Sequence, residues 1–212
     1  MKSSERRRPI EPRVLVIGLD GGSWSMLDRF VRIGAMPFLE RLLDQGARST
    51  LMSTRPPITP VAWASFATGA NPGRHGVLGF LSQKDDPGSY APPPVSRRSI
   101  ELPTLWRRLS QAGLRTTVLS VPLTYPPETV NGYLVSGMFT PPTAAHSTHP
   151  PELREELSSS GDMPKFALDV SSAGERGKAD RRLAHALEDD AERYFADVSD
   201  LTERLRRVTV RL

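Results

Sequence analysis

The sequence contains no cysteine among its 212 residues. This absence excludes a disulfide scaffold, a thiolate-held zinc or iron–sulfur site and a cysteine nucleophile. Any bound metal would have to be held by carboxylate, imidazole or hydroxyl groups. A chain without cysteine also fits a reducing compartment, and together with the missing membrane span and apolar leader described next this leads us to expect a cytoplasmic protein.

Long hydrophobic runs are missing as well. No stretch approaches the ~18 to 20 apolar residues that a membrane span needs. The first eight residues are basic, and no apolar segment follows them as it would in a secretory leader. We therefore expect no membrane partner.

A strong excess of one charge is also lacking, because 28 Lys and Arg stand against 24 Asp and Glu. Positive residues are interleaved with acidic ones, and only residues 6–8 form a basic run. Such a short run is typical of a solvated terminus, so residues 1–12 are predicted to be a basic tail and nucleic acid is not an expected partner.

Proline, by contrast, is abundant. It accounts for 20 of the 212 residues, or about 9%, whereas its usual share is about 5%. The prolines fall between segments of regular hydrophobic spacing, which predicts loops that join a regular scaffold. Within that scaffold, aliphatic runs bounded by turn residues predict buried strands, and apolar residues at helical spacing predict helices. The predicted strands are 14–18, 49–53, 116–121 and 133–136, and the predicted helices are 24–33, 37–45, 61–68 and 105–112.

Strands that alternate with helices indicate an α/β fold with a mostly parallel sheet. We assign residues 13–150 to one α/β domain and residues 151–212 to a charged helical segment of the same domain. The last apolar stripe, which includes Val208, reaches the final residue without a stop signal. We expect the chain to end inside a structural element.

Asp20 follows the first predicted strand and precedes two glycines. Ligands of open α/β sheets bind at this end of the strands, so Asp20 is a candidate metal ligand. Asp before glycine is also a common turn residue, and this alternative stays open.

Thr59 precedes Pro60, which is favoured at the first position of a helix. Thr59 is therefore predicted to be the N-cap, where its hydroxyl either caps the helix or acts as a nucleophile beside an incoming phosphate. A threonine hydroxyl is too weak an acid to attack unaided at neutral pH, so the second role needs a metal or a base.

Arg74 and His75 follow this helix in a short loop and are candidate phosphate contacts. A loop histidine more often bonds only to the backbone, so that interpretation of His75 remains open.

Three segments together resemble the alkaline phosphatase superfamily, in particular its type I phosphodiesterase/nucleotide pyrophosphatase branch with predicted phosphohydrolases and phosphomutases. They are VIGLDGG at 16–22, PPITPVAWASFATGANPGRHG at 56–76 and VPLTYPPETVNGYLVSGM at 121–138. The resemblance covers roughly residues 13–212 and is specific for family rather than for substrate.

The resemblance implies an α/β/α sandwich with two divalent metal ions, usually zinc, and a small-molecule phosphate ester as substrate. It implies that Asp20 is a ligand of one of the two metals. It also implies that Thr59 is the nucleophile and a ligand of the metals. Hydrolysis would then pass through a phosphothreonine intermediate.

Two differences between this sequence and the family limit which residue roles the resemblance implies. Nucleotide pyrophosphatases have an Asn where this sequence has Ala62, which leaves a phosphate-oxygen donor unaccounted for. Family members are also longer, and their other metal ligands, an Asp and His pair and an Asp-His doublet with a further His, lie in a second half without a counterpart here. We therefore expect an incomplete N-terminal half that is inactive alone.

The sequence leaves three alternative functions open for a protein of the same fold. They are a phosphomutase, a sulfatase and a non-catalytic phosphate-binding module.

Overall fold

The computed structural model describes residues 14–82, 92–141, 143–163, 199–200, 202–204 and 206–209. The chain divides into two compact units, Met1–Leu51 and Met52–Leu212. The predicted basic tail and residues 164–198 of the predicted helical segment lie outside the described residues.

The unit Met1–Leu51 contains two helices, α1 at Trp24–Arg32 and α2 at Pro37–Gln45. The break between them falls at Gly34, which has a φ of +71°, and α2 begins at a proline. The two predicted helices are thus confirmed. Neither helix buries a residue, so apolar packing contributes little to this unit.

A polar clamp joins α1 to the chain that follows α2. Arg48 forms two hydrogen bonds of 2.8 Å with the Asp28 carboxylate, and its guanidinium lies 4.1 Å from the ring centroid of Trp24. The Trp24 indole N–H donates to the Ser49 carbonyl at 2.8 Å. The Arg48 guanidinium also holds the pKa of Asp28 below its usual value through the hydrogen bond.

The predicted strand at residues 14–18 is wrong for this structure. Within the described residues the segment pairs with no other strand, and Val14, Leu15, Val16, Ile17 and Leu19 are between 57% and 88% exposed. The strand predicted at 49–53 likewise finds no partner strand in the part of the chain that the structure describes. A strand exists only through hydrogen bonds to a neighbouring strand, and hydrophobic composition alone does not supply that neighbour.

The unit Met52–Leu212 carries the sheet. Its helices are α3 at Thr59–Thr68, α4 at Pro72–His75, α5 at Leu105–Gln111 and α6 at Leu153–Ser159, with a 3-10 turn at Arg97–Ser99. Its strands are β1 at Thr116–Leu119, β2 at Gly132–Val135 and β3 at Thr148–His149, in the order β1-β2-β3.

Strand β1 runs parallel to β2, with Thr116 opposite Gly132, and β3 runs antiparallel to β2, with Val135 opposite Thr148. The α/β class and the strands predicted near 116–121 and 133–136 are confirmed. The three described strands form a mixed sheet, so the mostly parallel sheet and the α/β/α sandwich remain predictions.

The core lies on both faces of β2. Leu134 packs with Ala67, Trp106, Val118 and Val130, whereas its neighbour Val135 faces the opposite side. Alternate side chains of a strand point to opposite faces, so β2 is buried on both, as its continuous apolar run predicts. The second side is filled by Leu153, Leu157 and Val208.

Helix α3 contributes residues to two clusters of the hydrophobic core. Ala67 belongs to the cluster around Trp106, and Ala64 belongs to another with Val77, Val95, Ile100 and Leu123. The four buried residues of α3 are small or medium apolar side chains, which lets neighbouring segments approach the helix closely. Helix α3 is therefore fixed in place along its length.

Candidate active site

Thr59 is the first residue of helix α3. The carbonyl of Ile58 accepts the first bond of the helix from the Ala62 N–H at 3.0 Å, and Ile58 has an extended backbone with φ −121° and ψ 150°. Ile58 is therefore the N-cap, and the prediction of Thr59 as N-cap is wrong by one residue. The aliphatic side chain of Ile58 makes no capping hydrogen bond at this end of the helix.

The half-buried Thr59 side chain lies at the positive end of the helix dipole. Pro60 follows it, as expected for the first turn, where the missing N–H costs no helical bond. A hydroxyl at this place experiences a field that favours negative charge on its oxygen or on a bound phosphate.

Asp20 lies in the turn after the extended segment of the unit Met1–Leu51. The Gly22 N–H donates to the Leu19 carbonyl at 3.1 Å and closes this turn, and Gly21 occupies the left-handed region with φ +68°. The Asp20 side chain is exposed. Asp20 and Thr59 belong to different compact units, and each is positioned by its own unit.

Arg74 and His75 lie in the same unit as Thr59, on α4, but in different environments. Arg74 is exposed, whereas His75 is fully buried. Its Nδ1 accepts the N–H of Val77 at 3.2 Å, so the ring proton of the neutral form is on Nε2. Nε2 lies 2.9 Å from the Ser65 hydroxyl, and it therefore donates to Oγ.

Burial lowers the pKa of His75 because the charged imidazolium loses hydration, and a backbone hydrogen bond offsets part of that effect. The ring is thus neutral at neutral pH, and both nitrogens are used inside the protein. This geometry favours the interpretation in which His75 bonds within the protein over direct contact with a ligand.

The Ser65–His75 contact could not be read from the sequence, since nothing in the pattern singles out Ser65 among the α3 residues. The same holds for Glu128 in the third motif. Its Oε1 accepts from Arg97 at 2.7 Å, and its Oε2 accepts from the Thr104 hydroxyl and the Trp106 indole N–H, each at 2.7 Å.

Glu128 is only 12% exposed. Burial raises the pKa of a carboxyl group, but here the hydrogen bonds from Arg97, Thr104 and Trp106 together with the positive charge of Arg97 outweigh it, and the pKa of Glu128 is lowered. Glu128 therefore stays ionised and ties the loop after β1 to the start of α5.

The described residues contain no group of three or more His, Asp or Glu side chains that could enclose a metal ion. A two-metal site needs several such ligands at about 2 Å from each ion. Asp20 and Thr59 alone do not meet that requirement, so the described part of the chain does not fit a complete two-metal centre. Among the described residues, no helix has the length and apolar character to cross a membrane.

Comparison with known proteins identifies the family. Residues 14–209 match the family model described as type I phosphodiesterase / nucleotide pyrophosphatase. Neither the curated proteins nor the solved structures contain a match to this chain. The match spans all three sequence segments that resembled this branch, from VIGLDGG to VPLTYPPETVNGYLVSGM. The chain therefore belongs to the type I phosphodiesterase/nucleotide pyrophosphatase family of phosphoric ester hydrolases, within the alkaline phosphatase superfamily.

Proposed function

We propose that this chain takes part in the metal-dependent hydrolysis of phosphoric mono- or diesters, with Thr59 as the nucleophile. The observation that carries the proposal is the position of Thr59 on the first turn of α3, inside the segment that matches the family. A hydroxyl there is held by a buried helix and lies in a field that favours a bound phosphate.

In the proposed reaction, Thr59 Oγ forms a bond to phosphorus while the bond from phosphorus to the ester oxygen breaks. The ester oxygen leaves as an alcohol after taking up a proton, and the Thr59 hydroxyl proton passes to a base. Water then cleaves the bond between Oγ and phosphorus, which releases phosphate or a monoester and restores the hydroxyl.

The family chemistry calls for two divalent ions, and we propose zinc, with Asp20 and Thr59 as two of the metal ligands. Bound metal would supply positive charge that makes the hydroxyl easier to deprotonate. Because the described residues do not enclose an ion, we propose that this chain holds only part of the site and is inactive alone. Arg74, which is exposed on α4, remains a proposed phosphate contact.

One observation favours a second candidate, a phosphate-binding module without catalysis. It is the same lack of a metal-enclosing group among the described side chains. Such a module would bind phosphate without zinc affinity, whereas a partial hydrolase site would gain zinc affinity and turnover once the remaining ligands are supplied. A phosphomutase or sulfatase would share the first half of the site, and product analysis separates these reactions.

The test is a phosphodiesterase assay with bis(p-nitrophenyl) phosphate and added Zn²⁺ or Mn²⁺. It is run on this chain alone and on a fused protein in which the ligand-bearing second half of a type I phosphodiesterase follows Leu212. We expect no turnover from the chain alone. The fused protein should turn over, and Thr59→Ala should lower its rate by about a thousandfold or more, as loss of a nucleophile does.

The matched control is Thr117→Ala, which removes an exposed threonine hydroxyl from β1. It should leave the rate of the fused protein unchanged. Turnover by the chain alone that disappears in Thr59→Ala would contradict the partial site, and full turnover of the fused Thr59→Ala variant would contradict the assigned nucleophile.

A further inference from the structure

A cleft of about 490 Å³ lies beside the C-terminal half of α3, which contributes Ser65 to its lining. It belongs entirely to the unit Met52–Leu212, and Thr59 is not among its lining residues. Ser65, which is part of the lining, lies six residues beyond Thr59, or about 9 Å further along the helix axis. The cleft is lined by Met52, Ser53, Thr54, Arg55, Ser65, Gly69, Ala70, Asn71 and Pro72.

The lining contains both polar and apolar residues and carries a single kind of charge. Arg55 is the one ionisable residue among the nine, and its side chain is exposed. Within the described part of the chain, Arg55 has no ion-pair partner. A guanidinium presents several N–H donors in a planar fork that matches the oxygens of a carboxylate or phosphate. The charge of the cleft thus selects an anion over a cation.

Ser65 supplies a second donor because of its buried neighbour. His75 is fully buried, and the Val77 N–H occupies its Nδ1, so Nε2–H donates to Ser65 Oγ. Since Oγ accepts this bond, the hydroxyl's own proton is left to donate elsewhere. A serine inside a helix often donates to the carbonyl four residues back, here Val61, but the described contacts contain no such bond.

We propose that this cleft is a binding site for a small oxyanion, such as a phosphate group, distinct from the start of α3. Arg55 neutralises the anion's charge, and the Ser65 hydroxyl, oriented by His75, donates a hydrogen bond to one of its oxygens. The volume of about 490 Å³ lies within the range of about 300 to 1,000 Å³ that is typical of small-molecule pockets, so the cleft has room for free phosphate and for the organic part of a phosphate ester. The anion is either free phosphate or the phosphate of an ester, and the chemistry of recognition is the same for both.

The experiment is a titration of the full 212-residue chain with inorganic phosphate and, separately, with phenyl phosphate, at low ionic strength. Calorimetry gives the Kd, and ¹⁵N NMR locates the amides that shift. We expect saturable binding with shifts at Ser65 and at residues 69–71. The tighter of the two anions identifies whether the source is free phosphate or an ester.

Three variants decide whether the cleft is responsible. Arg55→Gln should weaken binding by about tenfold or more, since a charge-assisted hydrogen bond is lost. Ser65→Ala should weaken it by about fivefold, the equivalent of one neutral hydrogen bond. The control, Arg107→Gln, removes an exposed arginine on α5 that does not line the cleft, and it should change the Kd by less than about twofold.

Three results would overturn the proposal. They are no saturable binding by the unmodified chain, equal affinities for Arg55→Gln and Arg107→Gln, or shifts confined to residues 59–62. The last would mean that phosphate binds at the start of α3 instead. If Ser65→Ala lowers the melting temperature too far for titration, Arg55→Gln decides alone, because its exposed side chain contributes little to folding.

Discussion

Arg97 and Glu128, 31 residues apart in sequence, form an ion pair of 2.7 Å whose two side chains are only 13% and 12% exposed. Arg97 also donates to the Ile100 carbonyl at 2.9 Å, and its backbone N–H donates to the Tyr125 carbonyl at 2.7 Å. The pair therefore fixes the 3-10 turn against the loop that connects β1 to β2.

Glu128→Ala should destabilise the protein strongly. The substitution leaves the Arg97 guanidinium buried without its carboxylate and removes the acceptor of Thr104 and Trp106. Loss of one partner of a buried pair costs about 3 to 5 kcal/mol. Urea denaturation followed by circular dichroism measures the free energy of unfolding. Glu155→Ala, at an exposed glutamate on α6, is the control and should leave the urea midpoint nearly unchanged.

The contribution of Glu128 should also depend on pH in a defined direction. Its pKa in the folded protein lies below the ordinary value of 4.5, so its stabilising effect is complete above pH 4.5 and is lost as the pH falls through the lower folded pKa. The difference in unfolding free energy between the unmodified protein and Glu128→Gln should therefore be constant near neutral pH and shrink below 4.5. A difference that grows on acidification would contradict this assignment.

His75 is expected to act through folding rather than by touching substrate. His75→Ala removes a fully buried ring and leaves Ser65 and the Val77 N–H without their partner, which should cost about 2 to 4 kcal/mol. His75→Gln, which restores a donor toward Ser65, should recover part of that loss. Thermal melts of the two variants provide the comparison.

Acid should lower the folding stability of the protein through the protonation of His75. Burial lowers the folded pKa of His75 below 6.5, so the unfolded chain takes up a proton first and stability falls as the pH drops below 6.5. His75→Gln should lose less stability over that interval than the unmodified chain. Identical pH profiles for the two proteins would show that His75 is not the group responsible.

Gly137 should tolerate no side chain. A Cβ at this position would lie 2.3 Å from the Val121 carbonyl oxygen and 2.4 Å from the Ser120 carbonyl carbon, and both are backbone atoms that cannot turn aside. Gly137→Ala should therefore displace the segment after β2, with a stability loss of several kcal/mol. The control is Gly73→Ala on α4, where a Cβ would meet nothing within 4 Å. It should be neutral or slightly stabilising in the same melt.

The sequence predicted those elements whose formation depends on local pattern. The spacing of apolar residues located α1, α2, α3 and α5 within a few residues, and the aliphatic runs located β1 and β2. Strand β3 was not predicted, because its two residues, Thr148 and His149, are too few to produce a hydrophobic pattern.

Contacts between residues far apart in the sequence could not be predicted from local hydrophobic patterns. The apolar run at 14–18 has strand composition, but the structure gives it no partner within the described residues. The Glu128 contacts join residues 22 to 31 positions apart, and the Ser65–His75 bond joins two helices. Such pairs are set by how segments pack in three dimensions. The Thr59 boundary was missed by one residue because the Ile58 carbonyl, not the proline, defines where the helix bonds begin.

The central claim is that Thr59 becomes phosphorylated during ester hydrolysis. The fused protein, loaded with Zn²⁺ and mixed with bis(p-nitrophenyl) phosphate, is quenched in acid and digested, and the peptide that contains both Thr59 and Ser65 is sequenced by mass spectrometry. Because the attack expels one p-nitrophenolate and leaves the other on phosphorus, we predict a p-nitrophenyl phosphoryl group on Thr59, absent from Thr59→Ala and unchanged in Thr117→Ala. Sustained turnover with no modification of Thr59, or with the phosphoryl group on Ser65, would contradict the account.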